Sequence, residues 1–206
     1  MNYAVVYDSE TSGLPLFKEP SEHPGQPHIV QLGACLVDLD TWAVLSTIDV
    51  ICRPEGWTIP DDVAAIHGIT TEMAADLGVP ESLAVEMLLD LVGDRVRIAH
   101  NETFDARIVR IACKRFFEET QADQWKDGKA ECTALLSTPI LKLPPTAKMR
   151  AAGRHHHKTA NLGEAYRFFT GRELVGAHSA LVDVHACIEV YRAIKEGRRE
   201  AMPLAA

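Results

Sequence analysis

The chain has 206 residues, which is enough for a single domain with a sizeable core. Hydrophobic residues make up 47% and charged residues 24%, as in ordinary globular proteins, and no apolar run approaches the roughly 20 residues of a membrane span. The formal net charge of -8 argues against a broad, sequence-blind nucleic-acid binder, but it leaves open a nuclease whose acids gather around metal ions. We expect one domain over residues 1–206.

The cysteines and the amino terminus indicate the compartment. Five cysteines are scattered along the chain without a CxxC pair, which is typical of reduced thiols rather than of a disulfide framework. The first residues, MNYAVVYDSE, lack the basic region and the cleavage site of an export signal. We therefore expect a cytoplasmic protein that does not associate with membranes.

The first half of the chain predicts strands followed by a helical region. Apolar runs favour three strands, at residues 3–7, 29–39 and 44–54. A polar, proline-rich loop from Pro15 to Pro27 separates the first two, and a hairpin turn near Asp40 joins the last two. The segment from Ile59 to Gly93 has a helical pattern with glycine and proline interruptions, and Pro80 is a good helix opening.

The second half alternates strand and helix. A strand at 95–100 precedes a helix over ETFDARIVRIACKRFFEE, whose apolar residues recur at helical spacing. Residues 130–137 fit a fifth strand or a short helix, and we prefer the strand. A long basic loop at 138–158 leads to two closing helices, near 161–170 and 179–196. The pattern predicts one α/β domain.

Two carboxylates end the first strand, in YAVVYDSETSGL. Alternation along a strand puts Asp8 and Glu10 on the same side, where they repel each other unless they are protonated or bridged by a cation. No Lys or Arg lies between residues 2 and 17 to neutralise them. A solvated strand end and a metal site are about equally good interpretations of this stretch alone.

Two further motifs shift the balance. In HNETFD, Asp105 lies in the first turn of a helix, where the helix dipole alone would favour an acid. In HSALVD, His178 lies at the start of a helix that carries Asp183, and a single such His is more often a cap or a packed side chain. Four carboxylates at the ends of core elements, together with one His, match the oxygen ligands that Mg²⁺ prefers. They also fit a pair of ions acting on a phosphodiester.

These motifs, with AIHGIT between the first and second, resemble those of the DEDDh exonucleases of the DnaQ-like group. Ser12 stands where the family more often has Thr. Serine retains the hydroxyl group, so we expect the replacement to be tolerated. The resemblance covers about residues 3–195. It implies an RNase H-like fold, a mixed five-stranded sheet with helices on both faces and an antiparallel second strand.

The resemblance also implies residue roles. Asp8 would bridge two Mg²⁺ or Mn²⁺ ions, Glu10 and Asp183 would complete one site, and Asp105 would hold the other ion largely through water. His178 would be the general base. The substrate contacts that it implies are Ser9, Thr11, Leu14, Asp62, Ile66, His67, His100, Asn101 and Phe104.

The expected function is a metal-dependent 3'–5' exonuclease that releases nucleoside monophosphates from a single-stranded or frayed 3' end, with DNA preferred. An exoribonuclease is the nearest alternative, although Thr11 stands where oligoribonucleases usually carry Met. A non-catalytic module and a proofreading subunit of a polymerase are the others. Only GRREAMPLAA follows the last predicted helix, which favours a free-standing enzyme over a tethered subunit.

The segment LKLPPTAKMRAAGRHHHK, called here the basic segment (residues 141–158), is the most basic stretch of an acidic chain. It would either grip the phosphates of a nucleic-acid strand or form a solvated surface loop. We prefer the solvated loop at this stage. Its three consecutive His cannot all face one ion in regular structure, so we do not count them as metal ligands.

Overall fold

The sheet is built on a strand that is buried on both faces. The computed structural model describes residues 2–203. In strand β1 (Tyr3–Thr11), Val5 and Tyr7 pack into one apolar cluster, whereas Ala4 and Val6 pack into another on the opposite face. Such a strand reads as a continuous apolar run because helices cover both faces of the sheet.

The other strands are β2 (Ile29–Asp38), β3 (Val44–Arg53), β4 (Val79–Pro80), β5 (Val96–Ala99) and β6 (Ala130–Cys132). Their order across the sheet is β4-β3-β2-β1-β5-β6. Strand β2 runs antiparallel to both β1 and β3, while β1, β5 and β6 are mutually parallel, as are β3 and β4. This is the mixed α/β sheet that the RNase H-like expectation describes, with its second strand reversed.

The helices are α1 (Asp61–His67), α2 (Thr71–Leu77), α3 (Glu81–Val92), α4 (Glu102–Phe116), α5 (Glu119–Asp127), α6 (Thr133–Leu141), α7 (Ala147–Ala151), α8 (Leu162–Thr170) and α9 (Ala180–Lys195). Helices α3, α4 and α5 cover the face that receives Val5 and Tyr7. Helix α9 covers the face that receives Ala4 and Val6, and α8 packs against α9. No helix within residues 2–203 combines the length and apolar character that crossing a membrane requires.

Several sequence-based boundaries need correction. The sheet has six strands rather than five, because the two-residue β4 pairs with the edge of β3. The predicted strand at 130–137 pairs only as far as Cys132, and the chain then turns into α6. The region 138–158 contains the end of α6 and all of α7, so it is not a continuous loop. The first strand extends through Thr11, which carries both acids into the sheet.

Candidate active site

The acids of β1 lie beside two residues of β2 that receive helix α9. Asp8 is directly opposite Gly33, and Glu10 is opposite Gln31, so these four positions share one face of the sheet. A Cβ atom on Gly33 would lie 2.6 Å from the carbonyl carbon of Ala180. The absence of a side chain at Gly33 therefore lets the first turn of α9 rest directly on β2.

A hydrogen bond fixes this close approach. The backbone nitrogen of Ala180 donates to Gln31 Oε1 at 3.1 Å, and Gln31 Nε2 donates to Asp49 Oδ1 at 2.8 Å. Gln31 thereby satisfies one of the amide groups that a helix leaves free at its start. Sequence reasoning missed both Gly33 and Gln31. A glycine and a glutamine within the apolar run IVQLGACLV were the available signal.

Helix α9 brings its motif to the acids of β1. One ligand atom from each of Glu10, His178 and Asp183 lies within 4.8 Å of the others. The backbone nitrogen of His178 donates to Asp183 Oδ2 at 3.1 Å, whereas the buried Asp183 Oδ1 has no hydrogen-bond partner among residues 2–203. A buried carboxylate oxygen without a donor is unfavourable unless a cation faces it.

Asp105 reaches β1 from the opposite face. Alternation turns Ser9 away from Asp8 and Glu10, towards α4. Asp105 Oδ1 accepts hydrogen bonds from the Ser9 nitrogen at 3.1 Å and from Ser9 Oγ at 2.8 Å. These bonds hold Asp105 against the end of the strand, and they also occupy the Ser9 side chain that the resemblance offered as a substrate contact.

The electrostatics of the acids indicate an incomplete charge balance. Burial raises the pKa of Asp8 well above its usual value, and the charges of Asp105, Asp183 and Glu10 raise it further. Burial and then the charge of Asp183 raise the pKa of Glu10, which His178 partly offsets. Burial also raises the pKa of Asp183, against the hydrogen bond and charge of His178. Burial likewise raises the pKa of Asp105, against its two bonds from Ser9.

Two residues of the site hold a backbone conformation that is unfavourable for side chains other than glycine. His178 has φ 67° and Asn101, immediately before α4, has φ 70°. Each lies at the start of the helix that carries a candidate ligand, Asp183 in α9 and Asp105 in α4. Strained residues of this kind concentrate at functional sites, where the surrounding structure holds them.

Five further candidate substrate contacts differ in how exposed they are. Leu14 and Ile66 are 74% and 58% exposed, so both leave apolar surface open to a ligand. Asp62 is exposed on α1. Phe104 is partly buried against the core, and Thr11 Oγ1 donates to the Gly13 carbonyl at 2.8 Å.

The two remaining candidates are histidines. His67 Nδ1 accepts from the Ile69 nitrogen, and its buried Nε2 has no partner among residues 2–203. Burial and then the charge of His178 lower the pKa of His67. His100 differs, because its two ring nitrogens engage Thr133 Oγ1 at 2.8 Å and the Ala160 carbonyl at 3.0 Å. Both nitrogens of the His100 ring are thus used in hydrogen bonds within the protein.

The proline-rich loop, unlike a solvated connection, is built around one buried side chain. Gln26 is 2% exposed, accepts from the Leu16 nitrogen and donates to the carbonyls of Leu16 and Pro20. Arg107 on α4 donates to the Glu19 carbonyl at 2.7 Å. The loop is therefore fixed against α4, the helix that carries Asp105, and it leaves Leu16 and Phe17 exposed.

Comparison with known proteins matches this architecture. Structures of E. coli exonuclease I in complex with a dT13 oligonucleotide and of an exonuclease I from Methylocaldum szegediense superpose with TM-scores of 0.72 and 0.68. Their sequences are 20% and 21% identical to this one, and the superpositions cover 97% and 96% of this chain but only 42% and 41% of theirs.

A Mycobacterium tuberculosis protein that is named as a bifunctional exonuclease/endonuclease is 27% identical over 195 residues. That alignment covers 93% of this chain and 26% of the mycobacterial protein, so the chain spans less than half the length of these relatives. The family model described as Exonuclease, RNase_T, matches residues 5–191, from the first strand to the last helix. The chain belongs to the RNase_T exonuclease family, as the DEDDh resemblance predicts.

Proposed function

We propose that this chain is a divalent-metal-dependent 3'–5' exonuclease that removes nucleoside 5'-monophosphates from the 3' end of single-stranded DNA. The observation that carries the proposal is the meeting of Glu10, His178 and Asp183 around a buried carboxylate oxygen, Asp183 Oδ1, that has no donor among residues 2–203. A base and a set of oxygen ligands in one place are what hydrolysis of a phosphodiester requires.

The residues present fit hard divalent cations such as Mg²⁺ or Mn²⁺. Their donor set consists of carboxylates, and burial and like charges raise the pKa values of Asp8 and Glu10 where a nearby cation would lower them. Asp8, Glu10 and Asp183 would hold one ion, and Asp8 with Asp105 a second. Bound ions would activate water and stabilise the developing charge on the phosphate and the leaving oxygen.

The protein's own groups position the reaction. The exposed ring of His178 stands beside the carboxylates and takes a proton from the attacking water at a ring nitrogen. The resulting hydroxide attacks the terminal phosphorus, the bond to the 3' oxygen of the preceding nucleotide breaks, and that oxygen leaves. The hydrogen bond from the backbone nitrogen of His178 to Asp183 Oδ2 holds the residue that carries the base next to a candidate ligand.

The substrate proposal rests on surface chemistry and on the neighbours. Exposed Leu14 and Ile66 supply apolar surface against which terminal bases pack, and apolar contact of this kind does not depend on the identity of the base. Exonuclease I was crystallised with dT13 and with dA16 oligonucleotides, which are single strands of different sequence. Single-stranded DNA is accordingly the substrate we assign, with RNA as the alternative to be tested.

The test is a gel assay on 5'-labelled single-stranded DNA and on RNA of matched sequence, with Mg²⁺, with Mn²⁺ and with EDTA. We expect a metal-dependent ladder that shortens from the 3' end and is faster on DNA. Asp8→Asn removes one candidate ligand charge with little change of shape and is expected to abolish the ladder. Asp76→Asn, an equal change at an exposed position of α2, is the control and is expected to retain it. Full activity in Asp8→Asn, or in EDTA, would overturn the metal assignment.

A further inference from the structure

The basic segment (residues 141–158) is a projection held by internal hydrogen bonds and by packing, rather than a loop without contacts. Its two ends are joined by a hydrogen bond from the Lys158 nitrogen to the Leu143 carbonyl at 3.0 Å. Within it, Thr146 Oγ1 caps α7 by accepting from the Met149 nitrogen, and the Arg154 nitrogen donates to the Met149 carbonyl at 2.9 Å. Leu141 and Leu143 pack against the α8–α9 cluster. These contacts give the segment one shape.

The projection is attached at the active-site end of the sheet. His100, which follows β5 directly, binds the Ala160 carbonyl through Nε2, and Ala160 lies two residues after the end of the basic segment. The same histidine precedes Asn101 and the first turn of α4, which carries Asp105. The chain that follows the basic segment is therefore attached to the residue that leads from β5 into α4, the helix that carries the candidate ligand Asp105.

The charge of the projection is unbalanced. It carries five positive side chains and no acid, in a chain whose formal net charge is -8. Within residues 2–203 only one of the five, Lys158, makes an ion pair with a carboxylate, that of Glu164. Elsewhere many arginines and lysines, such as Arg97 and Lys195, lie against acids. Lys148 and Arg154 extend into solvent, which is where a polyanion would neutralise them.

From this placement we infer that the basic segment is a binding track for the phosphates of single-stranded nucleic acid, holding the strand upstream of the nucleotide in the active site. Charge complementarity identifies the occupant. The acidic surface of the remaining chain repels a phosphodiester strand, and this projection is a concentrated patch of the opposite sign beside the site. The inference rests on the proposed exonuclease function and adds to it a second contact region that acts on long substrates only.

The test compares two double variants that remove the same charge. Lys148→Ala with Arg154→Ala removes two side chains of the track. Lys126→Ala with Lys129→Ala, at exposed positions near the start of β6 and so at the opposite end of the sheet, is the control. Binding of a fluorescent oligothymidylate is measured by anisotropy in EDTA at several salt concentrations. Hydrolysis is measured on that strand and on the p-nitrophenyl ester of thymidine 5'-monophosphate, which has no strand to hold.

In the track variant we expect the slope of log K against log salt to be smaller in magnitude by about 1.4. Each phosphate contact to a single strand contributes about 0.7 to that slope, and two side chains are removed. If the two proteins bind equally at about 1 M salt, this difference in slope corresponds to about 25-fold weaker binding of the variant near 0.1 M salt. The value of kcat/KM on the long strand falls with it, whereas hydrolysis of the ester stays at the wild-type rate. The control variant keeps the wild-type slope.

An unchanged slope in the track variant, or an equal loss in the control, would overturn the inference. The same experiment separates this failure from that of the proposed function. If wild-type protein hydrolyses neither the ester nor the strand, the exonuclease proposal fails, while the anisotropy slopes still decide whether the basic segment binds phosphates. If the ester is cleaved and the slopes are equal, the exonuclease stands and the track does not.

Discussion

At the scale of single residues, the site differs from an ordinary acidic surface in what surrounds each carboxylate. The charges of the acids raise one another's pKa values, and His178 offsets this at Glu10 and at Asp183. An exposed acid cluster would relax into water, but Asp183 is 9% exposed and is fixed by the His178 nitrogen. The fold therefore keeps the carboxylates close together without a cation, and their mutual repulsion and burial destabilise the metal-free protein.

His178→Ala is expected to lower kcat by roughly 10²–10⁴-fold, because the variant loses the group that accepts the proton of the attacking water. The carboxylates remain, so the binding of Mn²⁺, followed by calorimetry, should persist. The acid limb of the pH–rate profile should disappear with the base. His185→Ala, an exposed histidine on the same helix, serves as control and should keep the wild-type rate and profile. A wild-type profile in His178→Ala would remove this residue from the mechanism.

At the scale of elements, the strand period decides which helix each residue of β1 meets. Asp8 and Glu10 share the face of Ala4 and Val6, which α9 covers, whereas Ser9 faces α4 and Asp105. Sequence alone predicts that the two acids lie on one side, because alternation is a local property. It does not predict which helix arrives there, since that depends on a contact between distant parts of the chain.

Gly33→Ala tests the docking of α9 on β2. The new Cβ would lie within 3 Å of the Ala180 and Leu181 backbones, and backbone atoms cannot rotate away as the end of a side chain can. We expect the free energy of unfolding to fall by about 1–3 kcal/mol, as for other overpacked cores. Activity should fall further than stability explains, because α9 carries Asp183.

Gly163→Ala is the matched control for this substitution. Gly163 lies in the first turn of α8, and an added Cβ there would make only an ordinary contact, 3.6 Å from Asn161 Oδ1. We expect it to be neutral or stabilising by about 0.4–1 kcal/mol. Denaturant unfolding and the gel assay report the two effects separately. Equal stability and activity in Gly33→Ala and Gly163→Ala would contradict the close approach.

The sequence predicts strongly periodic elements better than short ones. The four longer strands lie close to their predicted positions, because long apolar runs have few alternatives. The strand predicted over AECTALLS was wrong beyond Cys132, where a helix begins. A short apolar run fits a buried strand and a buried helix equally well. The hydrogen bonds that hold the proline-rich loop around the Gln26 side chain were not predicted, because the composition of Pro15 to Pro27 indicates only a loop.

At the scale of the whole molecule, the buried acids link stability to pH and to metal. Asp8, Glu10 and Asp183 have pKa values raised in the folded protein, chiefly by burial. Folded protein therefore binds more protons than the unfolded chain above about pH 4, where unfolded carboxylates titrate, and folding stability falls as pH rises through the raised pKa values. A bound cation would reverse this by favouring the charged forms.

We expect the melting temperature of metal-free protein to fall, relative to that of Asp8→Asn, between about pH 5 and about pH 8, because the variant lacks one of the repelling charges. Mg²⁺ should raise the melting temperature of the wild type more at about pH 8 than at about pH 5, since protons compete with the cation for the same oxygens. Its effect on Asp8→Asn should be smaller at both values. Asp76→Asn, which changes an exposed acid, should follow the wild type. A constant difference between wild type and Asp8→Asn across this range, with no dependence on Mg²⁺, would show that the acids are not electrostatically coupled in the folded protein.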